Sequence, residues 1–233
     1  MHGLINRAIQ SFVTNTYGPD RWLNVTEDAD LGFSEFEAMF IYDDSQTDAV
    51  LKSLCIELGR PESELLEDLG TYLVSDPKVE SLRRLLRFGG ETYQDFLHSL
   101  DELPERARLA VSDLYLPPME LRELTARQFS LVCGAGLRGY GRVMMGILRA
   151  MADDYGALVF LEHNGQHNVH HNGQQGGQTG GPPHKAHEAD SDHARDLPGP
   201  QAHGQAGAEV ISITLVEADF AAGRDFDLGA RAG

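Results

Sequence analysis

The stretch FGGETYQDFLHSLDELP, residues 88–104, carries a helical pattern that ends in a proline. Its apolar side chains at Phe96, Leu100 and Leu103 follow the three- and four-residue spacing of one helix face. The next position on that face is Pro104, whose ring offers no side-chain donor atom and whose nitrogen carries no hydrogen. The pattern predicts a helix over about residues 91–103. It ends just before position 104, where a residue other than proline could place a functional side chain on the apolar face.

The composition around this stretch is that of a globular domain with an acidic surface. The chain has 233 residues, of which 41% are hydrophobic, and this suits one domain with an appendage. Its formal net charge is −17, from 36 acidic and 19 basic residues. An acidic surface repels phosphate backbones, so nucleic-acid binding is disfavoured, and solubility is the simplest role of the charge.

The cysteines and the N-terminal sequence predict a cytoplasmic protein. Cys55 and Cys133 have neither zinc-like nor redox spacing, which favours a reducing compartment. The opening MHGLINRAIQSFV lacks the long apolar run of a signal peptide, and no stretch approaches the length of a membrane span. No contact with a membrane is therefore expected.

The order of periodic segments predicts an α+β fold. Helical spacing dominates up to about residue 110, and Met119–Leu124 with Gln128–Cys133 alternates like a β-hairpin. Another helical segment and two strand-like runs follow, which indicates an antiparallel sheet with packed helices. The predicted domain covers 1–163 and 208–220. Residues 164–207 are predicted to be a disordered His/Gly-rich insertion, and 221–233 a flexible tail.

Four segments together carry a family resemblance. They are MHGLINRAIQSFVTNTYGPDRW, IYDDSQTDAV, FGGETYQDFLHSLDEL and VMMGILRAMADDYG. In order and spacing they resemble the H-NOX (heme–nitric oxide/oxygen-binding) family, which includes the heme domain of soluble guanylate cyclase. The resemblance covers residues 1 to about 163 and resumes at 208–217.

The resemblance implies a gas-sensor domain with a helical N-terminal lobe and a four-stranded antiparallel sheet. It further implies a heme b cofactor between the two halves, with nitric oxide, oxygen or carbon monoxide bound at the iron. The signal would pass to a partner such as a cyclase or a histidine kinase. Nothing after residue 217 resembles either enzyme, so a separate signalling protein is expected.

Both heme motifs of the family are substituted in this sequence. The family's axial histidine matches Pro104, which has no electron pair to give to iron. Its Tyr-x-Ser-x-Arg motif, which holds the heme propionates, matches Cys133, Ala135 and Leu137. Pro117 matches the proline that presses on the porphyrin in the family. The substitutions place heme ligation in question.

Other residues are alternative candidates for a heme site. His98 is the nearest histidine to Pro104, but its helical phase points to solvent, about 120° from the apolar face. His2 could approach from the distal side, and Cys133 could supply a thiolate, although a buried strand cysteine is the simpler interpretation. Arg138 and Arg142 could reach propionates, or could be ordinary solvated arginines.

The predicted insertion and its edge are rich in histidine, an effective ligand for zinc, copper or nickel. His163, His167, His170 and His171 form the densest group and are the candidate metal ligands. A flexible tract must become ordered to bind, so its affinity is expected to be weak. The remaining histidines of the tract are His184, His187, His193 and His203.

No enzyme motif is found. The segment CGAGLRGYG lacks the spacing of a phosphate-binding loop. Three functions remain open at this point: a heme-based gas sensor without catalysis, a heme-free regulatory or interaction module, and a metal-binding protein that uses the histidine tract.

Overall fold

The computed structural model describes residues 1–167 and 207–224. These ranges contain eight α-helices and one four-stranded sheet, which confirms the predicted α+β class. The helices are α1 (Gly3–Tyr17), α2 (Pro19–Asp28), α3 (Asp44–Leu58), α4 (Glu62–Ser75), α5 (Glu80–Arg87), α6 (Tyr93–His98), α7 (Leu103–Ala110) and α8 (Tyr140–Tyr155). The strands are β1 (Met119–Thr125), β2 (Gln128–Cys133), β3 (Leu158–His167) and β4 (Ala208–Glu217).

The sheet is antiparallel, with strand order β1-β2-β4-β3. One face packs on α8, so the helix covers β3 and β4. β3 continues past the predicted boundary at residue 164 and ends at His167. Residues 168–206 of the predicted insertion and residues 225–233 of the predicted tail lie outside the described residues.

Two hydrophobic cores organise residues 1–167 and 207–224. The N-terminal core is formed by α1 to α4 and includes Phe12, Val25 and Leu54. The sheet core is formed by α5 to α8 with the sheet, and includes Phe96 and Ile213. Val143 and the residues around it on α8 pack where these cores meet.

The helix predicted over 91–103 is divided, and this corrects the expectation. α6 ends at His98, a short 3₁₀ turn spans Leu100–Glu102, and α7 begins at Leu103. Pro104 has no N–H to give to the carbonyl of Leu100, so a continuous helix would lose a hydrogen bond there. The proline instead occupies the first turn of a new helix, where that N–H is not needed.

Pro19 also begins a helix. The sequence GPD predicts the end of α1, and α1 does end at Tyr17, with Gly18 at φ 96°. Pro19 then opens α2 at once, because its fixed φ suits a first helical position. Over residues 1–167 and 207–224, no helix combines the length and apolar character needed to cross a bilayer.

Candidate functional site

A cavity of about 230 Å³ lies between the N-terminal helices and the region of α7 and α8. Helices α1, α3 and α4 form one side, and α7, two loops and α8 form the other. Most of the lining is aliphatic. The lining residues are Met1, Leu4, Ile5, Ala8, Ile9, Thr47, Asp48, Leu51, Leu66, Leu69, Leu73, Leu103, Leu114, Leu116, Leu137, Arg138, Tyr140, Val143, Met144 and Ile147.

Two glycines set the spacing between α4 and α8 beside this cavity. A Cβ atom on Gly70 would collide with the backbone carbonyl of Val143, and one on Gly146 with that of Glu67. The helices therefore cross in backbone contact. Their flanking side chains, including Leu69 and Ile147, form part of the cavity lining.

The buried polar groups of the lining are already bonded within the protein. The Thr47 hydroxyl donates to Asn6 Oδ1 at 2.8 Å. The Tyr140 hydroxyl lies 3.8 Å from Met119 Sδ, and burial raises the pKa of Tyr140, so the phenol stays protonated. The interior of the cavity thus presents hydrocarbon, and the exposed residues Asp48 and Arg138 lie at its rim.

Pro104 lies beside the cavity but does not line it. The neighbouring Leu103 is buried and contributes to the lining. Pro104 is half-buried in the first turn of α7. Among the lining residues that the structure describes, none is a histidine.

The three positions that match Tyr-x-Ser-x-Arg are separated by the local fold. Cys133 ends β2 and is 1% exposed, Ala135 is exposed, and Leu137 lines the cavity. Burial, reinforced by the negative charge of Glu209, raises the pKa of the Cys133 thiol to about 12. This thiol is outside the lining and is protonated at neutral pH.

We expect Cys133 to resist alkylation in the folded protein. At pH 8 a thiol with this pKa has about one thiolate in 10,000, and burial also hinders the reagent. Iodoacetamide should therefore label Cys55 first, although burial also raises the pKa of Cys55. Peptide mass spectrometry before and after urea unfolding, with Cys133→Ser as control, measures this. Equal labelling of both thiols in folded protein would contradict it.

The two candidate histidines near the predicted heme site have other partners. His98 is exposed, with Nε2 3.6 Å from Glu123 Oε2. His2 is buried at the start of α1, where its Nδ1 accepts from the Leu4 amide at 3.1 Å and its Nε2 lies 3.3 Å from Asp113 Oδ2. Neither belongs to the cavity lining.

The two candidate arginines and Pro117 differ in position. Arg138 lines the cavity and donates through Nη2 to Glu62 at 2.8 Å. Arg142 lies in an adjacent hollow and donates to Glu67 at 3.0 Å. Pro117 is buried but outside the lining. Of these three residues, the structure brings only Arg138 to the cavity.

Sequence reasoning missed a buried acid–imidazole pair. His163 Nε2 lies 2.7 Å from Glu209 Oε2, and both side chains are less than a tenth exposed. Gly141, at the start of α8, leaves room for the pair, since a Cβ there would lie 2.6 Å from the carboxylate. The two residues are on different strands and far apart in sequence, so no local pattern links them.

The candidate metal group is only partly described. His163 is engaged with Glu209, the backbone of His167 ends β3, and His170 and His171 lie outside the described residues. Within residues 1–167 and 207–224 there is no group of three or more potential metal-ligating side chains. Metal binding by the tract stays a prediction.

Comparison with known proteins places this architecture in a family. The family model described as Haem-NO-binding matches residues 2–163, more than half of the chain. This chain belongs to the H-NOX family. H-NOX domains bind heme and act as sensor domains rather than catalysts.

Relatives by sequence are soluble guanylate cyclases. Soluble guanylate cyclase 89Db of Drosophila melanogaster is 20% identical over 155 residues, which are 66% of this chain and 23% of that protein. Soluble guanylate cyclase gcy-35 of Caenorhabditis elegans is 30% identical over 105 residues, which are 44% of this chain and 15% of that protein. The chain therefore spans less than a quarter of these relatives.

Solved H-NOX structures share the fold. A mutant H-NOX protein from K. algicida, in the Fe(II) unliganded state, superposes with a TM-score of 0.67 at 14% identity, over 93% of this chain and 97% of that one. A mutant of T. Tengcongensis H-NOX superposes with a TM-score of 0.65 at 11% identity, over 94% of this chain and 99% of that one. The fold is preserved at low identity.

The cavity residues of this H-NOX chain do not fit a ligated heme. Protein ligands to heme iron are His, Cys, Tyr or a Met that accompanies His. The lining offers a protonated Tyr140 and the thioethers of Met1 and Met144. Its volume is also small: a cavity of about 150 Å³ is filled by benzene, and a porphyrin joins several rings of that size.

Proposed function

We propose that this protein is a non-catalytic H-NOX regulatory module that works without heme. The observation that carries the proposal is the apolar cavity between the two cores, which has no histidine among its described lining residues. Pro104, at the position of the family's axial ligand, supports it, since proline cannot bind iron. The module would respond to an occupant of the same cavity other than heme.

The relatives support a role in signalling through another protein. In soluble guanylate cyclases only the H-NOX part matches this chain, and by analogy its state would be read by a cyclase or histidine kinase. The two free cysteines suit the reducing cytoplasm. The partner would bind the folded module and distinguish its empty from its occupied form.

The absence of heme is tested by visible spectroscopy after expression with added hemin. We expect no stoichiometric Soret band in the wild type, because the described lining of the cavity offers neither an axial imidazole nor space for a porphyrin. The S. oneidensis H-NOX, solved in an Fe(II)NO state, is the positive control. A stoichiometric band that shifts on addition of nitric oxide would overturn the proposal.

Two variants locate the cause. Pro104→His places an imidazole beside Leu103. A hemin affinity about tenfold above that of the wild type would assign the loss of heme to the missing ligand, whereas an unchanged affinity would assign it to the small volume of the cavity. His98→Ala is the matched control, because its exposed side chain is outside the cavity. A wild-type band that disappears in His98→Ala would identify His98 as a ligand and contradict the proposal.

A further inference from the structure

The polar groups of the cavity lining indicate what it can hold. In the described ranges, no buried side-chain nitrogen or oxygen of a lining residue lacks a hydrogen-bond partner. Thr47 and Tyr140 are engaged with Asn6 and Met119. Both hydroxyls already donate their protons, so an acceptor or anionic group of a ligand placed in the interior would meet no unused donor from these two side chains, and its desolvation would go uncompensated.

The rim residues are close to electrical balance. Arg138 is paired with Glu62 at 2.8 Å. Asp48 and Lys52, one helical turn apart on α3, border the same adjacent hollow as that pair. Arg138 and Asp48 line the cavity, whereas Lys52 and Glu62 border only the hollow beside it. The two positive and two negative side chains on this side of the cavity therefore balance in charge.

The volume sets the size of the occupant. The cavity of about 230 Å³ is about one and a half times one that holds benzene and stays dry when empty. A fused two-ring hydrocarbon, or a neutral molecule of similar size, is larger than benzene by about this factor in volume.

From these three observations we propose that the cavity binds a small, neutral, apolar molecule of about ten non-hydrogen atoms. This inference rests on the proposed heme-free function and names its ligand class. Binding is driven by removal of apolar surface from water, and selectivity against ions comes from the cost of burying a charge among mostly aliphatic side chains.

Naphthalene is the probe, with 1-naphthoate and 1-naphthylmethylammonium as an anionic and a cationic analogue of the same ring system. Binding to the full chain is followed by naphthalene fluorescence and by the shift in melting temperature. We expect saturable binding of naphthalene and at least about tenfold weaker binding of both ions.

A matched pair of substitutions places the site. Ala8→Leu fills the cavity from α1 and should weaken naphthalene binding by about tenfold or more. Ala49→Leu is the control: it is half-buried on α3 and borders the adjacent hollow but not the cavity. Circular dichroism confirms that both variants are folded.

Three results would overturn the inference: no binding to folded wild type, equal or tighter binding of either ion, or equal loss in Ala8→Leu and Ala49→Leu. These results differ from the one that would refute the proposed function, which is a stoichiometric Soret band in the wild type. A heme-free protein that ignores naphthalene would refute the ligand class alone.

Discussion

Gly146→Ala is expected to lower the free energy of unfolding by about 3 kcal/mol, at the upper end of the overpacking range. The added methyl group would meet backbone atoms of α4: the carbonyl oxygen of Glu67 and, at 2.7 Å, the amide nitrogen of Thr71. Backbone cannot rotate away as a side chain can, so α4 and α8 must separate. The gain in helix propensity, about 1 kcal/mol, offsets only part of this cost.

Urea unfolding followed by circular dichroism measures the loss. Gly141→Ala is the comparison variant in the same helix, because its nearest contacts would be side-chain atoms of the Glu209 and His163 pair rather than backbone. It should cost about 1 kcal/mol. Equal stability of Gly146→Ala and the wild type would show that the two helices are not in backbone contact.

Asp154→Ala is expected to destabilise the protein by roughly 3–5 kcal/mol, the range for breaking a buried ion pair. Asp154 is 1% exposed, and its carboxylate lies 2.8 Å from Arg83 Nε and 3.6 Å from Arg87 Nε. Its removal would leave Arg83, which is 9% exposed, without this counter-charge. Thermal and urea unfolding measure the effect.

The neighbouring Asp153 gives the control. It is exposed, so Asp153→Ala should change the stability by less than about 0.5 kcal/mol. Asp154→Asn separates charge from shape, since an amide retains one acceptor for Arg83. If Asp154→Ala unfolds with the same midpoint as Asp153→Ala, the buried pair contributes nothing to stability.

Local signals in the sequence predicted much of the fold. Asp43 caps α3 by accepting from the Ser45 amide at 2.9 Å, and Gly59 ends that helix at φ 62°. Both follow from preferences of single residues. The predicted helix over 91–103 failed because Pro104 acts through a missing hydrogen bond one turn earlier, an effect that apolar spacing does not register.

The candidate site was less predictable because it depends on distant parts of the chain. Ala8, Leu69 and Ile147 meet only once α1, α4 and α8 are packed. The pairing of His163 with Glu209 similarly requires β3 and β4 to be neighbours in the sheet. The sequence shows which residues are neighbours along the chain but not which are neighbours in space. His163 is therefore grouped with the histidine tract and not with Glu209.

The position of the cavity between two separate cores has a mechanical consequence. Leu69 on one wall belongs to the N-terminal core, while Met144 on the other belongs to the sheet core. A molecule in contact with both walls is sensitive to the distance between the two halves, and its affinity favours one separation over others. Such a wedge could change the relative orientation of the halves by shape alone, with no bond to a metal.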